Sequence, residues 1–151
     1  MAQAIAAYLH YLSIFVLFAL LVLEHRLFRL PLDLERARSL IVVDIAYGAC
    51  AGVVLLTGAA RVMWFAKGPE YYLHNSLFHA KIGLFVLVAL LSILPTMTFL
   101  NWRNDLKAGR VPQINARQCK LVTMTIRLEL LALLILPLLA TLMARGYGMI
   151  G

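Results

Sequence analysis

Four runs of apolar residues, near 5–28, 40–63, 77–100 and 121–144, divide the chain. Each is close to the roughly 20 residues that an α-helix needs to cross a bilayer. The third is the plainest: from Ile82 to Leu94 it has no charge and almost no polar atom, as expected of a helix with apolar surroundings on every side. A bilayer offers no water to satisfy free backbone groups, so each run is predicted to be a helix. Polar segments separate them at Arg29–Ser39, Trp64–Ser76 and Asn101–Lys120. Pro31 and the mixed-charge stretch Leu32–Arg38 mark the first as the start of a short interfacial helix. In the second, Lys67-Gly68-Pro69-Glu70 is a turn signal, and Tyr71 and Tyr72 suit a membrane interface. Gly109 and Pro112 break the third. The expected fold is all-α and integral to a membrane: an antiparallel bundle of four transmembrane helices forming one domain over 1–151.

Composition agrees. The 151 residues are 63% hydrophobic and 14% charged, with a mean hydropathy of +0.87, against about 45–50% apolar and about 25% charged in soluble domains. The first run is not expected to be a cleaved signal peptide, since it lacks a basic leader, is too long and has no small-residue cleavage site after it. A net charge of +7 raises nucleic acid as a partner. The cations fall between apolar runs, however, and form no basic face with stacking aromatics, so the lipid bilayer is the expected partner and nucleic acid is excluded. The first and third polar segments and their flanks hold Arg26, Arg29, Arg36, Arg38, Arg103, Lys107, Arg110, Arg117 and Lys120, against Arg61, Lys67, Lys81 and Arg145 on the other side. This bias puts those two segments in the cytoplasm and both termini outside. Cys50 and Cys119 have no CxxC spacing and are expected to be free thiols.

Polar residues inside such runs are the candidate chemistry. His10 and His79 lie a few residues into the first and third helices, both of which begin on the outer side, so their rings are expected at similar depth. His10 shares a face with Ser13, Ile14, Leu17 and Glu24, while Asn75, His79, Gly83, Val86 and Leu90 share one on the third helix. Lys81, about 200° round from His79, is expected to snorkel outward. Two imidazoles converging in a bundle can hold a metal or both axial positions of a haem; the plainer reading is two unrelated interfacial histidines. On the opposite side, Glu24, His25, Asp44, Arg127 and Glu129 gather. Arg127 is expected to pair with Glu24 or Asp44, either as a structural ion-pair network or as a proton path or carboxylate clamp. Gly48-xxx-Gly52 predicts close helix packing, and Pro95 and Pro137 predict kinks. No phosphate loop, nucleophile triad or HExxH motif is present.

Tyr8-Leu-His10, Glu24-His-Arg-Leu-Phe28, Phe78-His79-Ala-Lys81-Ile82 and Arg127-Leu-Glu129 together resemble elements of HemJ-type protoporphyrinogen oxidases. From about residue 5 to 146 the chain also looks like a family of small uncharacterised bacterial inner-membrane proteins, related in outline to HemJ and to the CopD copper-resistance membrane domain. It departs from HemJ at Ser92 and Pro95, where a later histidine- and tyrosine-containing segment is missing, and at Leu128-Glu129, to which the asparagine-glutamate-proline element is reduced, with proline delayed to Pro137. The resemblance implies an inner-membrane protein binding haem b between the first and third helices, with His10 as one ligand and His79 as the second ligand or an active-site group. Lys81, Arg127 and Glu129 would support them, and Ser13 or Asn75 would fix a ring tautomer. A HemJ-like oxidoreductase would pass electrons to a quinone or other acceptor, and a homo-oligomer is compatible with this. The competing expectations are copper handling by His10, His74 and His79 with Met63, Met143 and Met149, and a non-catalytic membrane subunit.

Overall fold

The computed structural model describes residues 1–29, 31–65, 70 and 73–148, and among these it is helical with no β-strand. Helix α1 spans Ala2–Leu27, and α2 spans Leu34–Ala60 and runs on through a π-helical turn at Arg61–Phe65. Then come α3 at Ser76–Leu100, the short α4 at Arg103–Lys107 and α5 at Ala116–Ala144. Four of these helices are long and apolar enough to cross a membrane.

Three of the four long helices, α2, α3 and α5, begin at an Asp or Asn that caps them. The Asp33 carboxylate accepts from the Arg36 N–H at 2.7 Å, and Asn115 Oδ1 accepts from the Gln118 N–H at 2.7 Å. Asn75 Oδ1 accepts from the Leu77 and Phe78 N–H groups. Such caps satisfy amides that have no partner within the helix. They place the start of α2 six residues, and of α5 five residues, ahead of the apolar runs (34 against 40, 116 against 121). Hydropathy marks the part of a helix in hydrocarbon, whereas the cap marks where the backbone begins to turn. The expected interfacial segment Leu32–Arg38 is therefore mostly the first turn of α2 itself.

α1 packs most extensively on α2, and α3 on α5. Lighter contacts join α1 to α5 and α2 to α3, leaving α1 and α3 across the diagonal. The inner side of α1 carries His10, Ser13, Leu17, Leu21 and Glu24, the face expected from helical spacing. On α3 the buried residues are Val88, Pro95 and Phe99, while His79, Gly83, Val86 and Leu90 are exposed. The face expected to turn inward thus turns out. A helix apolar all round offers no polar side to say which face meets its neighbours. Phe15, Val42 and Leu56 are each about two-thirds or more exposed, as suits a lipid-covered surface.

Gly48 and Gly52 are likewise exposed, and a Cβ on either would meet nothing within 4 Å, so they do not form the expected close crossing. Gly58 does: a Cβ there would lie 3.1 Å from His10 Cε1. At the end of the bundle with the α1–α2 and α3–α5 connections (the linker end), Phe28, Phe99 and Trp102 form a buried aromatic cluster, with Phe28 and Trp102 stacked at 6.3 Å. At the other, terminal end, the chain after α5 folds back on the start of α3. The Gly148 carbonyl accepts from the Ser76 N–H at 2.7 Å, and the Tyr147 carbonyl accepts from Asn75 Nδ2 at 3.1 Å.

Candidate functional site

Three carboxyls from three helices lie in the core toward the linker end: Glu24 of α1 and Glu129 of α5, each 1% exposed, and Asp44 of α2, 5% exposed. Glu24 and Asp44 are side-chain neighbours, the Thr96 hydroxyl of α3 stands beside Asp44, and Glu129 lies within electrostatic reach of both acids. Tyr47, one helical turn after Asp44 on the same face, is 4% exposed and lies within electrostatic reach of all three carboxyls. Among the described residues Glu24 Oε2, Glu129 Oε1 and the Tyr47 hydroxyl have no hydrogen-bond partner. Every long helix contributes to this cluster.

No cation joins it. Arg127, expected to pair with Glu24 or Asp44, is exposed, and its Nε donates to His25 Nε2 at 3.3 Å. Arg127 and Glu129 are two positions apart, which turns them to opposite sides of α5, and of the two only Glu129 faces inward. Among the described residues the ion pairs are Asp33–Arg36 and Asp105–Arg110, both at the linker end. The expected structural ion-pair network is therefore corrected to a group of buried acids without a base.

The histidines separate in character. His10 is buried against α2, with Nδ1 2.9 Å from the Thr57 hydroxyl. That hydroxyl also lies 2.8 Å from the Val53 carbonyl and 3.1 Å from that of Val54, to which it donates. With its one proton spent there, the Thr57 oxygen accepts from Nδ1–H and His10 Nε2 keeps its lone pair, an assignment made from the network. Ser13 and Asn75, expected to fix a ring tautomer, do other work: Ser13 donates to the His10 carbonyl and Asn75 caps α3. His79 is exposed, with Nε2 2.8 Å from the Leu73 carbonyl. A porphyrin gripped through Nε2 of both rings would require that bond to open and the ring to turn inward.

Lys81, in contrast, is half-buried and lies seven and fourteen residues before Val88 and Pro95, on the inner face of α3 rather than snorkelling away from the bundle. Its charge and that of Arg61 both act on His10. Arg61 also rests over the Tyr11 ring at 5.1 Å. Of the other metal-ligand candidates, His74 Nδ1 is 2.9 Å from the Glu70 carbonyl, Met63 is exposed and Met143 is buried. Met149 lies outside the described residues, as do Lys67, Gly68, Pro69, Tyr71 and Tyr72. Among the described residues no three His, Cys, Asp or Glu side chains are grouped to hold a metal ion. A cleft of about 280 Å³ opens between α2 and α3, lined by Gly48, Gly52, Phe85, Val88 and Tyr47 among others.

Tyr47, Thr96 and Arg61 did not stand out in the sequence. Tyr47 could have been found by asking which residues share the face of Asp44, and Arg61 by its spacing of four from Thr57.

Four apolar helices packed on a mainly apolar core that holds a few buried polar side chains define a multi-pass integral membrane protein. The chain belongs to the family described as predicted membrane protein (DUF2214), whose model matches residues 2–148. No curated protein matches it, and no solved structure does.

Proposed function

We propose that this protein holds and passes protons inside the membrane, using Glu24, Asp44 and Glu129 as proton-carrying groups and the Tyr47 hydroxyl as their neighbour. One observation carries the reading: three buried carboxyls gather with no cation among them. Burying an isolated carboxylate is far costlier than burying a neutral acid, so protons are the natural counter-charge. The unpartnered oxygens of Glu24 and Glu129 leave lone pairs for a proton in transit or for a water. The excess of Lys and Arg at the linker end supports a cytoplasmic position for these acids, in a bacterial inner membrane, with both termini outside.

Infrared spectroscopy of the purified protein tests this. At pH 7 a carboxylic-acid C=O band that shifts in D2O is expected, weakened by Glu24→Gln, Asp44→Asn or Glu129→Gln. In vesicles with an imposed pH gradient, the same variants are expected to slow proton flux at least tenfold while keeping helical content. Absence of the acid band in the wild type would overturn the proposal.

A second reading, haem-dependent electron transfer, is favoured by His10 alone. A ligating imidazole commonly commits its other nitrogen to a fixed partner, as Thr57 does here for Nδ1. When bound, haem b would supply one-electron chemistry. A Soret band abolished by His10→Ala and retained by His79→Ala is the expected signature.

A further inference from the structure

Around His10 at the terminal end, two cations stand without an acid partner among the described residues. Arg61 lies one turn beyond Thr57 and Gly58, on the face of α2 that His10 packs against. Its guanidinium rests on Tyr11, the residue after His10. Lys81 comes from the inner face of α3, about 7.5 Å along the helix from Ser76 at 1.5 Å per residue. The two charges act on each other as well as on His10. Neither has a carboxylate partner among the described residues. Of the seven acids in the chain, Glu70 is the one in the connection between α2 and α3, and its side chain is exposed; the other six lie toward the linker end. Like charges held together within membrane-spanning segments call for an opposite charge from elsewhere.

We infer that Arg61 and Lys81, with Tyr11 and His10 behind them, form a binding site for a phosphate-bearing anion. The planar Arg fork takes two phosphate oxygens while Lys81 adds a point charge. Both sit near a helix end, at the level where lipid headgroups meet hydrocarbon, so the phosphate can belong to an anionic phospholipid or arrive free. This site is separate from the carboxyl cluster and stands or falls without it. His10 and Glu24 are 14 positions apart on α1, about 21 Å of helix at 1.5 Å per residue.

The test uses full-length protein in detergent, with phosphatidylglycerol, phosphatidylcholine and inorganic phosphate as probes and both thermal melting and native mass spectrometry as readouts. Phosphatidylglycerol is expected to raise the melting temperature and remain bound where phosphatidylcholine does not, with the effect fading as salt rises. Displacement by inorganic phosphate would identify a free anion as the occupant; resistance to it, a lipid headgroup. Arg61→Gln and Lys81→Gln are each expected to weaken binding roughly fivefold, while Lys81→Arg retains it. Equal response of the wild type to both lipids with none to phosphate, or a salt-independent response, would overturn the site even if the Gln variants failed to fold.

Discussion

Thr57 links two helices through one oxygen, receiving the His10 ring and returning its proton to its own helix. Thr57→Val keeps the shape and removes both, so the His10 Nδ1–H is left buried without a partner. The expected loss is about 1–3 kcal/mol in a denaturant titration, with Thr57→Ser recovering most of it. Gly58→Val forces a branched side chain into a space where even one carbon would touch His10 at 3.1 Å, and a loss of about 1–3 kcal/mol is expected. Arg127→Ala, by contrast, removes an exposed contact to His25 and should change stability by no more than about 0.5 kcal/mol. The sequence made His10, Glu24, Asp44 and Glu129 legible because a polar atom inside an apolar run is conspicuous. It left the partners of those residues illegible, since which acid meets which base depends on helix rotation. Arg127 and Lys81 were each assigned the wrong side for that reason.

At the scale of elements, caps rather than hydropathy set the helix ends. Hydrogen bonds from the Arg36 backbone N–H, and next from its side chain, hold the exposed Asp33 carboxyl below its ordinary value of 3.8. Because the folded value is the lower one, the cap's contribution to α2 is present above that ordinary value and is lost as pH falls through the folded one. Helical content of α2 followed by amide exchange should decline over that acidic window, and an Asp33→Asn protein should show no such step. The tail is the other case. Gly146 and Gly148 have φ of +89° and +86°, and a Cβ on Gly148 would come within 2.7 Å of Asn75 Oδ1. Gly148→Ala is therefore expected to release the tail, seen as faster exchange at the Ser76 amide with the four long helices unchanged. Two glycines near a chain end announce a turn but not its destination, so this docking was not readable beforehand.

For the whole molecule, four spans and their up-and-down order were legible because length and apolarity alone decide what can cross a bilayer. The diagonal placement of α1 and α3 was not, and it separates the surroundings of the two histidines once expected to act together. Topology remains open to a direct check. In a protein lacking Cys50 and Cys119, a single cysteine at Lys107 should react with an impermeant thiol reagent only in inverted vesicles, and one at Arg145 only in intact cells. The reverse pattern would move the carboxyl cluster to the outer side.

The unequal pairing of helices has a consequence for biogenesis. Each half of the chain brings its strongest contact with it, α1 with α2 and α3 with α5, so neither half waits for the other to bury most of its inner surface. Two polypeptides synthesised from separate reading frames, broken between residues 65 and 73, should insert independently and reassociate, with the carboxyl constellation completed only when they meet.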